Sequence, residues 1–466
     1  MTTRALASRG HWIEGWDPEN EEFWESTGKH VARRNLLFSI LSEHIGFSIW
    51  SIWSVLVLFM SPSIGLPFTA AEKFLLVITP NLVGAVLRLP YAAAVTRFGG
   101  RNWTIFSSAI LLVPTVLAFF VVQQPGTPLW VFMLIGAAAG VGGGNFASSM
   151  TNITTFFPQR RQGWALGLNA GGGNIGVAAI QIVGLLVIAF AGNTHPSYVA
   201  AIYLPLIALA TLCAAMFMDN VDAVRARPGA LREAAASKHT WWISFLYIGT
   251  FGSFIGYSFA FGLVLQTEFD FTPLQAASWT FLGPLMGSIS RPFGGWLSDR
   301  LGGARVTLWT FVGMAAGTAA LLFASSQGSF GLYVAAFIVL FVLTGVGNGS
   351  TYKMIPAIFA KEAEDDVTDG GEAIAAFARA RRLSGAVIGI AGAIGALGGV
   401  GINLAFRSSY SSAAASGDAA LTSFLVYYVL CVLVTWLVYL RGVLRSGAAQ
   451  SVPAQAPSSK AEASRA

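Results

Sequence analysis

The sequence predicts an all-α membrane protein, twelve transmembrane helices in two pseudo-symmetric six-helix halves, and three observations carry that prediction. Only 11% of the 466 residues are charged while 55% are hydrophobic, and the mean hydropathy is +0.63. Soluble domains hold roughly 25% charged residues, so a water-soluble enzyme, a nucleic-acid binder and a disordered chain are excluded at the outset. Apolar stretches of about 20 residues, the length a helix needs to cross roughly 30 Å of hydrocarbon, recur twelve times. The two halves of the chain also echo each other, as the order of elements makes clear.

Residues 1–35 are polar and acidic, contain Trp12, Trp16 and Trp24, and lack the charged-then-apolar pattern of a cleaved signal peptide. They read as a retained cytoplasmic arm. Spans follow at 36–60, 73–95, 103–122, 129–156, 163–190 and 198–218, forming an N-terminal six-helix bundle over 36–218. Residues 219–240 are the longest polar link and read as a cytoplasmic linker. Further spans at 241–266, 274–297, 306–325, 329–357, 384–406 and 421–440 make a C-terminal bundle over 241–440. The segment 441–466, rich in Ala, Ser and Pro, has no apolar face and is expected to be a disordered cytoplasmic tail. Cys213 and Cys431 sit in separate apolar runs, which points to neither a disulfide framework nor a metal site.

Lys and Arg are retained on the cytoplasmic side of a membrane protein. With both termini inside, all but five of the 28 fall on that side, the exceptions being Lys73 and Arg407 outside and Arg88, Arg291 and Lys353 within spans. The net charge of +6 is thereby explained by topology, and no nucleic acid is needed. The internal repeat follows: Arg88 to Arg101 and Arg291 to Arg305 both read Arg, eight residues, Arg, one residue, Gly-Gly. Gly140-Val-Gly-Gly-Gly144 is echoed by Gly345-Val-Gly-Asn-Gly349 at nearly the same separation. A duplicated six-helix unit is the economical reading.

Arg88 and Arg291 precede Arg97 and Arg300 by nine residues, which at helical rise sets each roughly 13 Å deeper, near the midplane. An arginine there costs about 2.5–3.5 kcal/mol on insertion scales, so each is expected to face a cavity and bind something. Repeat symmetry makes the two a paired clamp for one small anion, and the guanidinium fork suits a planar oxyanion. The alternative, structural pairing with buried acids, is short of acids, since Glu43 is the only one well inside a span. Asn169 and Asn174 in the fifth span need partners for their buried amides, and Asn174 is a candidate anion donor whose carbonyl accepts from an arginine. Glu43, His44 and Lys353 complete the intramembrane ionisable groups. Either Glu43 neutralises Lys353 in a structural pair, or Glu43 or His44 carries a proton. The acidic and basic groups between 362 and 382 read as a solvated, mutually compensating face. No phosphate loop, metal-ligand cluster or nucleophile with a base is present, so neither enzymatic activity nor a cofactor is expected.

Gly295-Trp-Leu-Ser-Asp299-Arg300-Leu-Gly302 resembles the loop pattern of the major facilitator superfamily, with Thr96 replacing the aspartate in the first-half copy. From residue 16 to about 440 the chain resembles the nitrate/nitrite porters of that superfamily. The matching stretches include WDPENEEFW at 16–24, Leu87 to Tyr91, Asn145 to Met150, Leu166 to Gly176, Leu246 to Gly256 and Gly392 to Gly399. The resemblance implies a major facilitator fold, a site walled by Phe146, Tyr247, Phe251 and Trp53, and nitrate-signature glycines at Gly167, Gly171, Gly173, Gly176, Gly392, Gly395 and Gly398. Most of these glycines also read as close helix packing. Exchangers of the family carry a glutamine-type residue where Lys353 stands, which leans toward proton coupling.

The expected function is secondary transport of nitrate and nitrite across the cytoplasmic membrane by alternating access, with proton-coupled import. Alternatives are nitrate/nitrite antiport, transport of another solute, and an oxyanion sensor that moves nothing. The expected partners are these anions, protons and lipid; the protein is expected to act as a monomer.

Overall fold

A helix satisfies its own backbone N–H and C=O groups, which lipid cannot, so apolar segments of about 20 residues cross a bilayer as helices. The computed structural model describes residues 8–9, 11–222, 230–413 and 415–441, and the tail expected to be disordered lies outside the described residues from position 442. Eleven described helices are long and apolar enough to cross a membrane. They are α1 (Glu21–Phe59), α2 (Ala70–Phe98), α3 (Gly100–Val121), α4 (Leu129–Phe156), α5 (Gln159–Ala191), α6 (Ser197–Phe217), α7 (Lys238–Glu268), α9 (Gly303–Ser326), α10 (Phe330–Thr368), α11 (Ala375–Tyr410) and α12 (Asp418–Leu440). Between α7 and α9, α8 runs as Pro273–Thr280 and resumes after Phe281 as Leu282–Leu301. Arg291, Asp299 and Arg300 lower its hydropathy, but its roughly 40 Å at 1.5 Å per residue suffices to cross.

The duplication is written into the helix ends. Thr69 and Glu72 form a capping box at the start of α2, and Thr272 and Gln275 form another at the start of α8. Gly99 ends α2 and Gly302 ends α8, each at φ +87°, a left-handed backbone that disfavours any side chain. Proline follows close behind each clamp arginine, at Pro90 and Pro292, and interrupts the hydrogen-bond ladder there.

The halves meet through α2 on α11, α5 on α8 and α1 on α7. Phe74 stacks on Phe406 at 5.8 Å and on Tyr410 at 5.5 Å, and the Gln181 amide donates to the Ser258 carbonyl at 2.8 Å. Large apolar side chains such as Phe190, Trp309 and Leu134 point outward from the helices, as lipid-facing surfaces require. The chain's N-terminal segment adds a small sheet, β1 (Ser8–Arg9) antiparallel to β2 (Trp12–Ile13), and β2 parallel to β3 (Asn220–Val221). Asp219 fastens this sheet to α1, accepting from Arg34 at 2.6 Å and Asn35 at 2.8 Å. The sheet marks one end of the molecule, called here the terminal face.

Candidate functional site

Both predicted arginines are buried, Arg88 at 1% and Arg291 at 4% exposure, one from each half. They share one aromatic ring. The Arg88 guanidinium carbon lies 4.6 Å from the centre of Phe146 and 4.7 Å from that of Phe251; that of Arg291 lies 5.8 Å from Phe146 and 5.3 Å from Tyr352. Tyr247 stacks on Phe251 at 5.3 Å and leans on Tyr352 at 4.9 Å. The arginines, Phe146, Phe251 and Tyr247, all expected at the site, are thus brought together.

Hydrogen bonding leaves the clamp incomplete. One Arg88 nitrogen, Nη1, donates to the Gly392 carbonyl at 2.8 Å, and Arg291 Nη2 donates to the Tyr247 hydroxyl at 3.3 Å. Arg88 Nε and Nη2 and Arg291 Nη1 are buried with no acceptor. A buried charged donor without an acceptor costs more than the roughly 1–3 kcal/mol of a neutral one. Among the described residues, no carboxylate bonds to either guanidinium. Three orphaned donors between aromatic faces, with a net positive charge, offer what a small anion with several oxygen acceptors would bond to.

Glu43 lies behind this clamp. Its Oε2 accepts from Ser149 Oγ and, at 2.6 Å, from the Asn169 amide, while Oε1 is buried without a partner. Ser149 also bonds to the Phe146 carbonyl, so one turn of α4 joins the carboxyl to the ring that both arginines cover. Asn169, which the sequence marked as needing partners, finds them here for its amide nitrogen, while its Oδ1 is buried without one.

Several expectations are corrected. Lys353 does not meet Glu43; its Nζ donates to both Asp299 oxygens at 2.8 and 3.1 Å, in a pair that is 39% and 58% exposed. A long lysine can reach toward the membrane boundary, and Asp299 of the Gly-x-x-x-Asp-Arg loop is there to meet it. Asn174 is fully buried, but neither arginine bonds to it and both its amide atoms lack partners. Trp53 packs edge-on against Phe132 at 6.0 Å, away from the clamp. Its place is taken by Trp50, one helical turn earlier, 5.6 Å from the Arg88 guanidinium. His44 points at the Gly172 carbonyl, 3.1 Å from Nδ1.

The signature glycines divide by environment. Gly173 lies against the Glu43 carboxyl and Gly176 against the His44 backbone, while Gly395 faces Tyr247 and Gly398 faces Gly252. Gly167 and Gly171 have open space where a Cβ would be, so packing does not account for them. Gly392 faces the clamp itself, within 4 Å of Arg88, Tyr352 and Phe146. Sequence reasoning missed Tyr352 and the Gly392 carbonyl. Tyr352 was findable, because it stands 203 residues after Ser149, the separation of Arg88 and Arg291.

A model of the Major Facilitator Superfamily matches residues 37–402. The chain is 41% identical over 447 residues to the nitrate/nitrite transporter NarU of Escherichia coli, covering 92% of this chain and 96% of that protein. It is 34% identical to the probable nitrate/nitrite antiporter NarK2 of Thermus thermophilus, covering 80% of this chain and 88% of that one. Among solved structures, a partially occluded inward-open conformation of the E. coli xylose transporter XylE superposes with a TM-score of 0.66. It covers 88% of this chain and 98% of that one at 12% identity, a likeness of fold alone.

Proposed function

This chain belongs to the major facilitator superfamily, and on that premise we propose that it transports nitrate and nitrite across a membrane by alternating access between its two halves. The observation that supports this best is the set of orphaned guanidinium donors, Arg88 Nε and Nη2 and Arg291 Nη1, held apart from any carboxylate. A nitrate or nitrite ion offers planar oxygens to these donors and a flat face to Phe146, Phe251 and Tyr247.

The same geometry supplies a gate. Arg88 belongs to the N-terminal half and Arg291 to the C-terminal half, so without an anion their like charges oppose closure. An anion between them turns repulsion into attraction, and binding favours the state in which the halves close on it. The membrane is the inner (cytoplasmic) membrane, both termini face the cytoplasm, and the working unit is a monomer in lipid. The halves that rock are the bundles 36–218 and 241–440, joined by the linker 219–240.

Anion import against an inside-negative potential costs about 2.3 kcal/mol per charge per 100 mV and needs accompanying cations or an exchanged anion. Glu43 is the proton carrier in this reading. It is buried beside the clamp, is free of Lys353, and touches the anion site through Ser149 and Phe146. A second reading, nitrate/nitrite exchange, draws on the relative named as an antiporter. Purified protein in liposomes tests both. Nitrate uptake driven by an inward pH gradient with no internal nitrite supports proton coupling; uptake that requires internal nitrite and ignores the gradient supports exchange. Absence of nitrate and nitrite flux in both conditions would overturn the function.

A further inference from the structure

Behind Glu43, away from the arginines, lies a second polar site inside the N-terminal half. Ser39, Ser42 and Glu43 of α1, Thr104 and Ser107 of α3 and Asn145 of α4 line a space of about 10 Å³ open to a water-sized sphere. That is at the threshold for one water molecule. The Ser39 and Ser42 hydroxyls, both amide atoms of Asn145 and Glu43 Oε1 are buried without partners. Serines in lipid-embedded helices ordinarily turn the hydroxyl back to a carbonyl three or four residues earlier. Ser48, Ser51 and Ser54 of the same helix do so, bonding to the carbonyls of His44, Phe47 and Ser51. Ser39 and Ser42 do not, and their free hydroxyls face the polar space.

We propose that this pocket holds one water that passes protons between Glu43 and the terminal face, so that the proton travels within the N-terminal half while the anion travels between the halves. This rests on the reading of Glu43 as a proton carrier. The ligand must both donate and accept, because it meets hydroxyls, an amide and a carboxyl, and water does both. In the step, protonated Glu43 gives its proton to the water, the water gives one of its own to the Ser39 hydroxyl, and that hydroxyl releases its proton toward the terminal face, so that only Glu43 ends with one proton fewer. The carboxylate left behind keeps its bonds from Ser149 and Asn169. Ser39 lies one turn from Glu43 toward the terminal face, and Asn35, bonded to Asp219, one turn further. All four of Asn35, Ser39, Ser42 and Glu43 are buried on one face of α1. The charged groups that act on Glu43 are Arg88 from α2 and Arg291 from α8. From α4 and α5 it meets neutral Ser149 and Asn169, and its chain neighbour His44 is turned to Gly172.

The test compares wild type with the Ser39→Ala/Ser42→Ala double variant in liposomes carrying an internal pH dye. Two conditions are used, nitrite-loaded without a gradient and nitrite-free with an inward pH gradient. The expected result is nitrate-for-nitrite exchange within about twofold of wild type, and gradient-driven nitrate uptake with its proton influx reduced at least tenfold. Ser42→Thr, which keeps a hydroxyl, restores the gradient response to Ser39→Ala/Ser42→Ala when it replaces the alanine at position 42. Gradient-driven uptake equal to wild type in the double variant overturns the pocket while leaving Glu43 as carrier. Absence of gradient-driven uptake in wild type overturns the carrier reading itself. A sodium gradient that drives wild-type uptake at symmetric pH, and fails to drive it in the double variant, would make the occupant a sodium ion and overturn the water relay.

Discussion

Gly392 separates what holds the protein together from what binds the anion. A Cβ there would lie 3.6 Å from Arg88 Nη1, 3.6 Å from the Tyr352 hydroxyl and 3.8 Å from Phe146 Cε1, all ordinary contact distances. Gly392→Ala therefore fits without moving its neighbours, and alanine in a helix interior is favoured over glycine by up to about 1 kcal/mol. The thermal midpoint should stay level or rise. The new methyl nevertheless takes volume beside Nη1, which already donates to the Gly392 carbonyl, and so crowds an anion oxygen held roughly 2.8 Å from the neighbouring free donor Nη2. Losing one hydrogen bond to a charged group costs about 1.5–3 kcal/mol, or roughly 10- to 150-fold in nitrate affinity. Nitrate titration by thermal shift in detergent, alongside uptake in liposomes, reads both quantities on one preparation. Gly385→Ala is the control, since a Cβ there meets nothing within 4 Å, and it should bind nitrate normally. Gly395→Ala is the opposite control, because its Cβ would come within 2.5 Å of Tyr247 Cδ1, so stability and binding should fall together. Wild-type nitrate affinity in Gly392→Ala would refute the placement of the anion beside Arg88.

Arg88→Lys and Arg291→Lys keep the charge but lose the planar fork, so each should cut nitrate uptake at least tenfold in folded, membrane-inserted protein; near-normal uptake in either variant removes that arginine from the clamp. Phe146→Ala strips the ring that both guanidinium groups cover and should weaken nitrate binding and let chloride compete, as measured by inhibition of labelled nitrate uptake; unchanged selectivity returns Phe146 to packing. Glu43→Gln should abolish stimulation by a pH gradient, whereas Lys353→Gln should leave it intact, because Lys353 pairs with Asp299; a stimulation lost in Lys353→Gln and kept in Glu43→Gln would reverse the assignment.

Depth was legible in the sequence, and direction was not. The nine-residue separation of Arg88 and Arg97 fixes how far each arginine sits inside the membrane, because helical rise is constant. The same arithmetic put Lys353 in the membrane, yet its four-carbon stem lets the ammonium reach Asp299, and rise says nothing about a side chain's reach. Trp53, implied by the family resemblance, gives way to Trp50 because sequence does not fix direction. Three residues apart, the two lie on neighbouring faces of α1, and only the packing of α4, with Gly143 against the Trp50 ring, decides which one meets Arg88. The Gly392 carbonyl was invisible because a backbone acceptor has no residue type to mark it.

The two halves keep one scaffold and, on the proposed reading, divide two tasks. At the separation of 203 residues that relates Arg88 to Arg291, Thr104 matches Thr307, Ser107 matches Thr310, Asn145 matches Asn348 and Ser148 matches Thr351. Both halves thus carry a polar set on their third and fourth helices, and the Asn145 and Asn348 amides are buried without partners in each. The difference lies in the first helix. Residues 241–267, the matching first helix of the other half, contain no Asp or Glu, so a carboxyl with free hydroxyls faces the polar set in one half only. In the other half Ser149 gives way to Tyr352, and with Tyr247 it builds an aromatic wall against the arginines. A symmetric transporter with a carboxyl in each half would place two negative charges near a site that must hold an anion, weakening it by like-charge repulsion. One carboxyl, bonded to neutral groups and set behind α4, leaves the clamp positive while giving a proton a place to bind. On the proposed reading, the asymmetry allows an anion site and a proton site to occupy the same fold without cancelling each other.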